Sequence, residues 1–290
     1  MSVNSSTNSS LHPAGESCFY SRTNIFVFTA LLITDILFLL PLFILVLFVG
    51  YKRWRKQCSG SPAAMNSHSD IFTHNMVTVE LISIFGTWLF CYATYRKLPE
   101  MTRVGLSIFI IISPAQSLFH ILTCVDRYLA VVHAIIYLRL RQAAAVRIRN
   151  IIIGCVWLLC TVSQGLTMLL DYFMISNILF LVFSSIIITF CSLFVLCVLL
   201  HPRPGQAGRN RERVDRSKQR AYYTIMAIMG ARFPRFLTIL VFNTVMALSS
   251  YSCTDYCLAM LVVPWFSLPS SLVLPLVFLQ RAGKHGQFDN

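Results

Sequence analysis

Seven stretches of this chain, near 24–50, 71–94, 102–133, 148–170, 175–200, 221–249 and 256–280, are each mostly apolar over about 20 residues or more. That is the length a helix needs to cross a bilayer, and no other feature narrows the fold as far. With 56% hydrophobic and 12% charged residues the chain has too little polar surface for an ordinary soluble domain. The expected architecture is an all-α membrane protein, a seven-transmembrane helix bundle occupying 24–280. A tail over 1–23 precedes it and a short tail over 281–290 follows, which leaves no room for a soluble domain.

Charge sets the expected orientation. The net charge of +13 could suggest nucleic acid, but the basic residues sit in short connections between spans, where they report topology. Eighteen of the 24 Lys and Arg fall on one side: Lys52 to Lys56, Arg127 to Arg149, Arg203 to Arg220, and Arg281 with Lys284. Four (Arg22, Arg96, Lys97, Arg103) fall on the other, and Arg232 and Arg235 lie inside a span. The C-terminus is therefore expected in the cytoplasm and the N-terminus outside, with the lipid bilayer as partner and no nucleic acid. Asn4-Ser5-Ser6 and Asn8-Ser9-Ser10 are glycosylation sequons, which are modified only on the lumenal or outer side, and they agree. Residues 1–23 lack a signal-peptide pattern, so the first span is expected to act as its own signal anchor.

Several residues are out of place in hydrocarbon. Asp35 and Pro41 interrupt the first span, and Glu80 lies about ten residues into the second. A carboxylate at mid-membrane costs roughly 2.5–3.5 kcal/mol on the insertion scale, so Glu80 needs a proton, a cation or an arginine. Asp35 is a functional candidate, an interhelical clamp, or a group exposed near the outer interface. In the sixth span Pro234 bends the helix, and Arg232 and Arg235, three apart, share one face. These arginines pair with Glu80 or Asp35, or they face an outward cavity and bind an anionic ligand group, since guanidinium forks suit carboxylate and phosphate.

Residues 117–141, SLFHILTCVDRYLAVVHAIIYLRLR, run an apolar helix into Asp126-Arg127-Tyr128 and a basic stretch. This segment resembles the third helix and second intracellular loop of rhodopsin-like G-protein-coupled receptors, whose pattern is DRYLAxVHPxxYxxxR, with Ala134 in place of the proline. The resemblance implies a bundle that takes an extracellular ligand and opens a cytoplasmic crevice for a heterotrimeric G protein at the plasma membrane. Arg127 would be the latch, paired with Asp126 when inactive; Tyr128 and Ile135 would be contact positions. An ordinary Arg/Tyr pair snorkelling at a helix end has the same sequence. Trp157, Pro234 and Pro275 match family positions in the fourth, sixth and seventh helices, and Glu80 stands where the family has an aspartate that helps hold sodium.

The departures are as specific. Leu40-Pro41 replaces a Gly-Asn pair in the first helix. Both cysteines of the disulfide between the third helix and the second outer loop are missing, and that loop, near 171–176, is very short. Cys18, Cys253 and Cys257 are the cysteines placed outside, and a bridge from Cys18 to either of the others is chemically allowed. The other seven are expected to be small apolar packers. Ala231-Arg232-Phe233-Pro234-Arg235 puts arginine where the family has its switch tryptophan. Leu274-Pro275-Leu276-Val277-Phe278 keeps the proline of Asn-Pro-x-x-Tyr and loses its polar residues. The tail after Phe278 has no Cys, Ser or Thr, which predicts no desensitisation by tail phosphorylation.

Other function classes fit less of the chain. A transporter would use Asp35, Glu80, Arg232 and Arg235 as a polar relay, but no internal repeat marks two halves. A receptor-like scaffold or heteromer partner that has lost coupling is suggested by the altered switch positions and opposed by Asp126-Arg127-Tyr128. No catalytic carboxylate pair, activated nucleophile or metal-ligand spacing marks an enzyme, and no cofactor is expected. The third helix has no acid before Asp126, which disfavours an amine ligand.

Overall fold

The structure is a computed structural model that describes residues 21–58, 68–133, 143–170, 173–200, 209–248 and 264–286. Asn4, Asn8, Cys18, Ile135, Cys253 and Cys257 lie outside the described residues. Within them the elements are helical, in the order α1 (Arg22–Thr34), a π-helical turn (Asp35–Leu39), α2 (Leu40–Cys58), α3 (His68–Arg96), α4 (Pro99–Val132), α5 (Ala143–Leu170), α6 (Phe173–Leu200), α7 (Arg209–Leu248) and α8 (Leu268–Gly286). Five stretches are long and apolar enough to cross a membrane: Arg22–Arg55, Ile71–Arg96, Pro99–Val132, Leu179–Val198 and Tyr222–Val241. This is the make-up of an all-α membrane protein.

The π turn has a cause in the sequence. Pro41 has no amide to offer the Leu37 carbonyl, and its ring would strike that carbonyl in an unbroken α-helix. The ladder widens just before it, so that the Leu40 amide bonds the Asp35 carbonyl five residues back. The rod continues, and Leu31, Asp35, Leu39, Phe43, Val46 and Gly50 form one buried stripe along it.

α3 and α4 form a tight antiparallel pair. α3 ends in a Schellman motif: the Lys97 amide bonds Thr94 O at 3.2 Å and the Leu98 amide bonds Ala93 O at 2.9 Å. The position that favours glycine there holds Lys97, at φ 56. Pro99 then opens α4 at a position where its missing amide has no cost. The two backbones touch: a Cβ on Gly105 would come within 2.8 Å of the Phe90 amide nitrogen, and one on Gly86 within 2.6 Å of Ile108.

α4 is the hub. In its apolar window 62% of residues are buried, against 28–44% in the other four long apolar helices. It packs on α3, α5, α6 and α7, with Ala115, Phe119, His120, Thr123 and Cys124 fully enclosed. Phe119 meets the Trp157 ring edge-on at 6.1 Å, and Trp157 Nε1 reaches Asn75 Oδ1 at 3.5 Å, which joins α3, α4 and α5. On α7 the buried stripe Ile225, Ile228, Arg232, Arg235 and Ile239 repeats every three or four residues, so both arginines share the inward face of the isoleucines. α7 has 40 residues, about 60 Å at 1.5 Å per residue, and so outruns a hydrocarbon core of about 30 Å.

The basic stretch from Arg209 to Arg220 is helical as the start of α7. Two expectations need correction. The connection expected near 171–176 is shorter, because α6 begins at Phe173. Among the cysteines read as packers, Cys124, Cys160 and Cys191 are buried, but Cys155 and Cys197 are exposed on the outside of the bundle.

A buried polar network as the candidate functional site

The polar residues of α4 recur at helical spacing. Ser113, Gln116, His120, Cys124 and Arg127 step by three or four residues, with Ser117 next to Gln116, and therefore line one face. Opposite them stand Glu80 on α3, Ser184 on α6, Arg232 and Arg235 on α7 and Ser271 on α8, each buried.

Gln116 is the bridge of the network. Its Nε2 donates to Glu80 Oε1 at 2.9 Å, and its Oε1 accepts from Arg235 Nη1 at 2.8 Å. The amide thus relays between an acid and a guanidinium that make no direct pair. Arg235 Nη2 also donates to Ser113 Oγ, and Ser271 meets the Glu80 carboxylate from α8. Among the described residues Arg232 is answered by hydroxyls: its Nη2 donates to Ser117 Oγ at 2.7 Å and to Ser184 Oγ at 3.4 Å. Those serines spend their own protons on carbonyls of their helices, Ser113 O at 3.3 Å and Leu181 O at 2.8 Å, which leaves their lone pairs for the arginine.

Some buried polar atoms have no hydrogen-bond partner among the described residues: Asp35 Oδ1, both ring nitrogens of His120, Arg232 Nη1, Arg235 Nε, and Nε and Nη2 of Arg127. Native interiors leave few such atoms, and they mark sites where a ligand, an ion or a movement supplies the partner. Asp35 is 7% exposed, so it is not a surface group, and among the described residues no hydrogen-bond partner holds its Oδ1.

At the other end of the stripe, Asp126 is buried and Tyr128 is half-buried. The Tyr128 ring packs on Phe190 and Phe194 of α6, at 6.4 and 6.0 Å between centroids, and its hydroxyl lies 3.4 Å from His133 Nε2. Phe278 of α8 sits under the Arg53 guanidinium at 5.2 Å and against the His74 ring at 5.4 Å. Pro234 and Pro275 lie inside α7 and α8, and a third proline, Pro114, lies inside α4 beside Ser113.

The residues singled out in the sequence are thus brought together in part. Glu80 and Arg235 meet through Gln116, Arg232 stands on the same face of α7, and Arg127 lies on the same face of α4. Sequence reasoning missed Ser113, Gln116, Ser117, His120, Ser184 and Ser271, although the spacing of the first four on an apolar helix carried the signal. No family model and no curated protein matches the chain.

Proposed function

We propose that this chain is a seven-span receptor of the rhodopsin-like kind in the plasma membrane, with its N-terminus outside. It passes the binding of an extracellular ligand, an anionic small molecule or lipid, to a heterotrimeric G protein in the cytoplasm. The observation that supports this reading most is the single face of α4 that carries the arginine network at one level and, past His120 and Cys124 at helical spacing, Arg127 of the Asp126-Arg127-Tyr128 segment. An element that bonds α3 and α7 at one level and carries an arginine with unpartnered nitrogens at the other is suited to a bundle with two packings. An anionic ligand group would compete with Gln116 and Ser113 for Arg235 and so loosen α7 from α4. Arg127 would then be free to line a crevice at its own end.

The test compares basal G-protein dissociation, across Gα classes, for the wild type and Arg127→Ala at matched surface expression. A basal signal that Arg127→Ala changes is the expected result. Well-exposed protein that dissociates no G protein, with the two versions alike, would refute coupling. It would favour a non-coupling scaffold or heteromer partner, for which the closed bonding of Arg235 to Gln116 and Ser113 is the supporting observation.

A further inference from the structure

The charges of the core are unevenly answered. Glu80 is the carboxylate that acts on Arg235, whereas among the described residues the charge acting most on Arg232 is the like charge of Arg235. Arg232 is 7% exposed and its hydrogen-bond acceptors are two neutral hydroxyls. A guanidinium cannot shed its proton to escape burial, so it needs a counter-charge. Among the described residues, donors with no acceptor accompany it. Arg232 Nη1 and Arg235 Nε carry N–H groups with nothing to receive them, and so does whichever ring nitrogen of His120 is protonated. His120 is fully enclosed and lies one helical turn from both Ser117 and Gln116, the residues that hold the two arginines. Both guanidinium groups act on its ring.

We infer that Arg232, His120 and Arg235 hold a small monovalent anion, chloride in a cell, in the core between α4, α6 and α7. A halide accepts hydrogen bonds from every side and donates none, so it can receive from Arg232 Nη1, Arg235 Nε and the protonated ring nitrogen of His120 together. It also supplies the negative charge that Ser117 and Ser184 cannot, and that a water molecule could not. The inference does not depend on G-protein coupling and is tested without it.

The full chain, purified in detergent, is taken through thermal unfolding at constant ionic strength as gluconate is replaced by chloride. The expected result is a saturable rise of the midpoint by several degrees, reproduced by bromide and abolished in Arg232→Gln, while Arg127→Gln retains it. Equal midpoints in chloride and gluconate would overturn the assignment. So would a rise that persists in Arg232→Gln, which would place the ion elsewhere, or a larger rise with acetate than with chloride, which would make the guest a carboxylate. Should Arg232→Gln fail to fold, chloride NMR line broadening on the wild type decides: excess broadening displaced by bromide supports the site, and its absence refutes it.

Discussion

Replacing Gln116 with leucine tests the network at its narrowest point. The change keeps the volume close and deletes both ends of the relay, the bond to Glu80 Oε1 at 2.9 Å and that from Arg235 Nη1 at 2.8 Å. Stranding a buried polar group costs about 1–3 kcal/mol in a soluble protein. Between membrane helices measured hydrogen bonds average about 0.6 and reach about 1.7 kcal/mol, because the unfolded chain in lipid also finds partners. Two bonds then give about 1–3 kcal/mol, or a midpoint lower by roughly 3–10 °C. The paired control is Glu80→Gln with Arg235→Gln, which removes both charges and leaves Gln116 able to bond amides on either side. Removing both charges together strands neither, so this double variant should lose less stability than Gln116→Leu. Thermal unfolding of purified protein, followed by tryptophan fluorescence, reads both. A Gln116→Leu midpoint equal to the wild type, or a double variant less stable than Gln116→Leu, would refute the relay.

Gly105→Val should destabilise by about 1–3 kcal/mol, since its Cβ would press on the Phe90 backbone at 2.8 Å, where no side chain can swing away. The same unfolding assay checks it, and an unchanged midpoint would show that α3 and α4 are not so closely packed. Lys97→Gly should raise stability by up to about 1 kcal/mol, because a β-carbon at φ 56 costs about 1–2 kcal/mol and glycine returns part of that in unfolded-state entropy. A fall in the midpoint would mean that the lysine side chain contributes more than its backbone strain.

Long apolar helices were legible because hydrocarbon leaves such a run few alternatives, and among the described residues five helices long and apolar enough to cross a membrane stand close to five of the seven stretches that hydropathy marks. Asp35, Glu80, Arg232 and Arg235 stood out for the same reason: a charge in such a run is conspicuous wherever it falls. Their partners were not legible. The answer to Glu80 is Gln116, 36 residues away, and the answer to Arg235 is that same glutamine, 119 residues away. Side chains like these are unremarkable singly on a sequence and acquire meaning only once α3, α4 and α7 lie side by side. Pro41 was visible as a fault in the first span, yet the repair is a wider turn of the same helix, which hydropathy does not register.

The two helices joined by the arginine network are also interrupted beside the bonds that join them. Pro114 follows Ser113, and Pro234 precedes Arg235. Each proline removes one backbone hydrogen bond from its own helix, so each helix bends most easily near that level. The Arg235 to Ser113 bond therefore ties α7 to α4 where both are softest. A rigid tie between two stiff rods would resist movement everywhere along them; a tie between two hinges lets the far ends swing once it is released. The far end of α4 carries Arg127, three helical turns from Gln116, and Tyr128, which is wedged against Phe190 and Phe194 of α6. Under the proposed function, displacing that guanidinium would free these ends to move and so give a mechanical route to Asp126-Arg127-Tyr128.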